Sequence, residues 1–113
     1  MSNQNGWIAI DLDATAAYYD GWKNGEIGEP IPLMVLRMHR WRVQGIRMKI
    51  FTARASDPDQ IVAIQAWLKK HGLDICTMEV TNQKDFEMIQ LWDDRAIQII
   101  PNTGERADGV KDI

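Results

Sequence analysis

Apolar and polar positions alternate along the chain in two periods, short strand-like runs and longer helical stripes. Trp7 to Asp11 (WIAID) is short and apolar, and predicts a buried strand with its carboxyl end at Asp11. The stretch Thr15 to Glu29 carries Gly21, Asn24, Gly25 and Gly28, which mark turns and predict a loop or small hairpin. Pro32 then suits the first turn of a helix whose stripe is Met34, Met38 and Trp41, with Gly45 as its C-terminal stop. Ile46 to Thr52 predicts a second strand. Ser56 and Asp59 resemble a capping box, and Pro58 opens a second helix with the stripe Ile61, Ile64 and Leu68, Trp67 beside it, ended by Gly72. Leu73–Glu79, Ile89–Asp94 and Ala96–Pro101 predict third, fourth and fifth strands, with a loop and short helical turn around Lys84. From about residue 102 the chain is a polar, glycine-containing tail. The Met and Trp stripes predict core rather than function.

Strand alternating with helix predicts an α/β fold with a largely parallel sheet. Such sheets bind ligands outside the carboxyl ends of their strands. Asp11 and Asp13, Thr52, Lys84, and Asp93 with Asp94 are all expected at those ends. Burying several like charges together costs free energy unless they are paired or bind a cation, so a structural turn is the weaker explanation for the acids.

Composition narrows the chemistry. The chain has 113 residues, 45% of them hydrophobic, which fits one domain with a real core, residues 1–113. The net charge of −3 gives no basic face for duplex DNA, so nucleic acid is expected only as a substrate end. One cysteine, Cys76, excludes an intrachain disulfide and a cysteine metal cluster, and as a strand residue it is expected to be buried and inert. The N-terminal MSNQNGW lacks the marks of a signal peptide and no run is long enough to span a membrane, so a cytoplasmic protein is expected.

The acids suit a hard divalent cation. Magnesium takes oxygen ligands, and Asp11 with one of Asp93 and Asp94 could hold it from neighbouring strands. A phosphate would complete the shell, with Thr52 and Lys84 as donors to its oxygens. Asp11 is then placed to attack phosphorus, and Asp13 to pass a proton to the leaving oxygen and later take one from water. Arg54, Arg95 and Trp22 are candidate substrate contacts. Each arginine could equally pair with a motif acid, and Trp22 could equally pack as a lid.

The order Asp11-Leu12-Asp13-Ala14-Thr15, then Thr52 in IFTAR, then Lys84, then Trp92-Asp93-Asp94-Arg95, resembles the haloacid dehalogenase superfamily of phosphotransferases over roughly residues 7 to 100. The resemblance implies a three-layer Rossmann-like fold with about five parallel strands in the order 5-4-1-2-3 and helices on both faces. It implies a hydrolase, a magnesium-dependent phosphatase with Asp11 as nucleophile and Asp13 as acid/base. Thr52 and Lys84 would contact phosphate. Magnesium would be held by Asp11, the Asp13 main-chain carbonyl, and Asp93 or Asp94. Ala14 stands where the family commonly has glycine, so a backbone geometry favouring glycine carries a cost here. The family's large cap has no room between residues 15 and 30. Only a minimal flap containing Tyr18, Tyr19, Trp22 and Lys23 fits, leaving a site open to a large substrate or to closure by a neighbouring subunit in an oligomer. The small phosphorylated substrate stays open. A non-catalytic metal and phosphate-ligand binding protein is the main alternative. A polynucleotide 3′-phosphatase is a lesser one, and a phosphorylatable receiver-type module fits the motif order poorly.

Overall fold

A computed structural model describes residues 6–73 and 78–111. The expected position of Cys76 lies outside the described residues. The elements run β1 (Trp7–Ile10), α1 (Pro32–Val43), β2 (Arg47–Phe51), α2 (Pro58–Lys70), β3 (Val80–Thr81) and β4 (Met88–Trp92). The strands form one parallel sheet in the order β3-β2-β1-β4. The chain is therefore α/β, with four strands among the described residues rather than the expected five.

The helix signals act where the sequence places them. Pro32 and Pro58 sit in the first turns of α1 and α2. Gly45 takes a left-handed φ of 76°, which lets the Ile46 N–H reach back 2.9 Å to the Trp41 carbonyl and closes α1. Ser56 is not the cap expected of it. Its hydroxyl donates to the Ala53 carbonyl, and the Asp57 carboxylate caps α2 by accepting from the Asp59 N–H at 2.9 Å. The expected strand Leu73–Glu79 falls largely outside the described residues, and the strand that pairs with β2 is Val80–Thr81.

Successive strand residues point to opposite faces. Ile8, Ile10, Met48 and Ile50 share one core with Met34 and Met38 of α1 and with Ile64, Trp67 and Leu68 of α2. Trp7 and Ala9 are fully buried yet stand apart from that core. Both helices thus cover the same face, correcting the expectation of helices on both. The two β-α-β crossovers step in one direction across the sheet, and right-handed crossovers then place both helices on one side. The opposite face is crossed by the connection from β3 to β4. Asp85 accepts from Trp7 Nε1 at 2.9 Å, and the Glu87 carbonyl accepts from the Trp7 N–H at 2.9 Å. Lys49, buried and 4.3 Å from the Trp7 ring centroid, pairs with Glu79 at 3.1 Å.

Ala96–Pro101 does not add a fifth strand. Asn102 and Gly104 have φ of 66° and 74° and turn the chain back, so that Ile99 bridges Arg106 antiparallel. The segment satisfies its backbone against Glu105–Ala107, with Ile100 N–H to Glu105 O at 2.8 Å and Ala107 N–H to Gln98 O at 2.9 Å. Thr103, Glu105 and Ala107 are thereby hydrogen-bonded to the segment before them, which corrects the expectation of a loose tail over these residues. Among the described residues no helix is long and apolar enough to cross a membrane.

Candidate functional site at the carboxyl rim

All four strands are parallel, so their carboxyl ends share one edge of the sheet. A cleft of ≈ 920 Å³ opens there. It is lined by Asp11 and Asp13 after β1, Thr52 and Arg54 after β2, Asn82 after β3, and Asp93, Asp94 and Arg95 after β4. Tyr19 and Trp22 reach it from the Thr15–Pro30 loop.

The turn after β1 is tight and strained. The Leu12 carbonyl accepts from the N–H groups of Ala16 and Ala17, both at 2.9 Å, and the Ala14 N–H donates to Ala17 O at 2.8 Å. Closing that turn forces Ala14 to a φ of 67°, where a Cβ is disfavoured. The expected cost at Ala14 is therefore present, and such strain gathers at sites that must aim a side chain. The loop beyond it is closed at its neck by Tyr18 N–H to Glu29 O and Ile31 N–H to Ala16 O, both 2.8 Å. Gly28 passes so close to the Tyr18 carbonyl that a side chain would collide with backbone. Trp67 of α2 holds the same loop through Nε1–H to Gly28 O at 2.9 Å.

Asp11, Asp93 and Asp94 each bring a carboxylate oxygen to one point, all within 4.8 Å of one another. The Thr15 hydroxyl lies 3.4 Å from Asp11 Oδ2 and 3.5 Å from Asp94 Oδ1, a contact to which sequence reasoning gave no role. The Asp93 Oδ1 accepts from the backbone N–H groups of Arg95 at 2.6 Å and Ala96 at 3.1 Å, so it caps the turn that presents Asp94. Trp92 anchors this turn to α1, edge-on to Trp41 at 5.0 Å and beneath Arg37 at 5.2 Å. Asp11 is pushed up to about 7, first by burial, then by its hydrogen bond with Asp94 and the negative charges of Asp93 and Asp94. A hard cation with bonds of about 2.1 Å needs oxygen donors separated by roughly 3 to 4 Å, and it would relieve this repulsion. The all-oxygen donor set fits magnesium.

Two expected contacts, Lys84 and Arg54, are revised. Lys84 is exposed and does not line the cleft. The segment that carries it forms no helical turn on the rim, but leaves it to cross the back of the sheet. Arg54 is buried and points its guanidinium at Asp13, with Nε 2.8 Å from Oδ2 and Nη2 2.9 Å from Oδ1. Its remaining donors are taken by protein acceptors, so of the two expected roles the structure shows the pairing with a motif acid. Thr52 does line the cleft, and its hydroxyl oxygen also accepts from the Arg54 N–H at 3.2 Å. Arg95 stands open to solvent with Nε 3.9 Å from Asp94 Oδ2. Trp22 packs 4.7 Å from the Arg54 guanidinium while 59% exposed on the cleft, a placement that fits either expected use. Asn82 and Gln60 are cleft residues with no sequence signal beyond their polarity.

Comparison of the chain with protein-family models, with curated proteins and with solved structures yields no significant match.

Proposed function

We propose that this protein is a magnesium-dependent phosphomonoester hydrolase of the haloacid dehalogenase type. The reading rests on one observation above the others. The acids from the ends of β1 and β4 meet in a single cleft, with a second β1 carboxylate and a β2 threonine beside them. An α/β fold alone would not carry it.

Asp11, Asp94 and the Asp13 main-chain carbonyl would hold the ion, with Asp93 bracing the turn behind Asp94. Bound magnesium supplies positive charge against the phosphoryl oxygens and the carboxylates. The Thr52 hydroxyl donates to the phosphate. The Asp11 carboxylate attacks phosphorus in line with the ester oxygen. The new bond joins Asp11 to phosphorus, and the bond from phosphorus to the ester oxygen breaks. Asp13 gives its proton to that leaving oxygen, releasing an alcohol. Water then attacks the aspartyl-phosphate, Asp13 takes its proton, and inorganic phosphate leaves as the Asp11 carboxylate is restored.

The cleft is open, with the Thr15–Pro30 loop beside it, which suits a small phosphorylated metabolite and also a nucleic-acid 3′ end. The cytoplasm is the proposed compartment, in keeping with a single cysteine. The position of Lys84 off the cleft favours a second reading, a protein that binds metal and phosphate ligands without turnover. Phosphate release from an aryl phosphate, with and without magnesium, tests the choice. Magnesium-dependent release by the wild type and none by Asp11→Asn supports the hydrolase. Equal inactivity of both across a broad panel of phosphate esters, with tight ligand binding by calorimetry, selects the binding protein.

A further inference from the structure

Arg54 directs every donor it has into the protein. A guanidinium carries five N–H groups. Nε and Nη2 grip the Asp13 carboxylate as a fork at 2.8 and 2.9 Å. Nη1 donates to the Gly25 carbonyl at 2.8 Å and to Gln60 Oε1 of α2 at 2.9 Å, and Nη2 also reaches the Glu26 carbonyl at 3.3 Å. The Trp22 ring stacks on the same group. The Arg54 side chain is 4% exposed, whereas Asp13 is 24% exposed and faces the cleft.

We infer that Arg54 is a positioning residue that fixes the plane of the Asp13 carboxylate and ties it to the Thr15–Pro30 loop. The inference rests on the phosphatase reading and adds the device that aims its acid/base. A planar fork fixes a carboxylate's orientation, which a point-charge ammonium does not. Each Asp13 oxygen keeps a second lone pair for the proton in transit. Gly25, Glu26 and Trp22 belong to the loop beside the cleft, and Gln60 belongs to α2, so Arg54 joins loop, helix and acid/base at one point. Movement of the loop over a substrate therefore moves the contacts that hold Asp13.

The chemistry supplies a discriminating test. An aryl phosphate leaves as a stabilised phenolate and needs little help from an acid, while an alkyl phosphate must be protonated as it leaves. A misaimed Asp13 slows the alkyl ester selectively. A residue that merely supports the fold slows both alike.

The experiment measures kcat and KM of the magnesium-loaded protein on nitrophenyl phosphate and on a simple alkyl phosphate. It compares wild type, Arg54→Lys, Asp13→Asn, the double variant and Gln60→Ala. Arg54→Lys is expected to lose about 100-fold in kcat on the alkyl ester and less than about tenfold on the aryl ester, with KM little changed. The double variant is expected to be no slower on the alkyl ester than Asp13→Asn alone, because Arg54 acts through Asp13. Hydrogen exchange of the amides of residues 23–28 is expected to speed up in Arg54→Lys. If that variant melts below the assay temperature, Gln60→Ala carries the test, with a selective loss of a few-fold on the alkyl ester. Equal losses on both esters, an additive double variant, or unchanged exchange in the loop overturns the positioning role while leaving the phosphatase standing. A wild type that hydrolyses neither ester overturns the phosphatase reading, and the positioning role with it.

Discussion

Replacing Asp11 by asparagine should make the metal-free protein more stable, because it removes one charge from a crowded trio. The carboxyl of Asp11 rises from 3.8 to about 7, caused by burial first and then by Asp94 and Asp93. A shift of about three units corresponds to roughly 4 kcal/mol between the protonation states. The cleft is open to water, and screening reduces this to on the order of 1–2 kcal/mol. The sign follows from linkage. A carboxyl with a raised folded pKa leaves the folded state holding more protons than the unfolded chain between 3.8 and about 7. Stability from this group is therefore present below 3.8 and falls as pH rises to about 7. Asp20, Asp85 and Asp108 are shifted the other way, and their window lies below the ordinary carboxylate pKa. Comparison at pH 5 and pH 8 keeps them out of the measurement. Thermal melting followed by tryptophan fluorescence is the assay. At pH 8 in chelator, Asp11→Asn should melt about 4–16 °C above wild type, given roughly 4–8 °C per kcal/mol for a domain near this size. The gap should narrow at pH 5. Magnesium should raise the melting temperature of the wild type at pH 8 and leave that of the variant nearly unmoved. A variant less stable than wild type at pH 8 without metal would refute the reasoning.

Other substitutions read separate parts of the account. Gly28→Ala forces a methyl group into the Tyr18 carbonyl and should cost about 1–3 kcal/mol in a urea unfolding titration, since backbone must shift to make room. Ala14→Gly should not destabilise, as an ordinary alanine-to-glycine change would. Relief of about 1–2 kcal/mol at a φ of 67° offsets or outweighs the roughly 0.4–1 kcal/mol of added unfolded-chain entropy, so the same titration should show a change between none and a gain of ~1.6 kcal/mol. Lys84→Ala should change kcat/KM for an aryl phosphate by less than about threefold, a loss of under ~1 kcal/mol, because the side chain stands off the cleft.

What the sequence made legible was local. Apolar runs with proline and glycine at their ends placed β1, α1, β2, α2 and β4 to within a few residues, because those signals act through neighbouring backbone. The acids at the rim were legible for the same reason, as each follows an apolar strand and all parallel strands end on one edge. The rest depended on contacts between distant residues. Ala96–Pro101 has the apolar character of a strand, but the turn at Asn102–Gly104 decides that its partner is Glu105–Ala107 and not β4. Lys84 follows a strand in the chain, yet the path of its loop is set by Asp85 bonding to Trp7, 78 residues away. Arg54 and Asp13 are 41 residues apart, and nothing in either neighbourhood announces that one holds the other. Helix placement on one face follows from strand order, which periodicity does not contain.

In the proposed reaction a carboxylate oxygen of Asp11 is the atom that bonds to phosphorus. Magnesium-loaded protein mixed with an aryl phosphate and quenched in acid within its first turnovers should carry a phosphoryl group, mapped by mass spectrometry to Asp11 in the Ile8–Thr15 stretch. Its formation should require magnesium and vanish in Asp11→Asn. Phosphate release with no such adduct, or an adduct that persists in Asp11→Asn, would contradict the account.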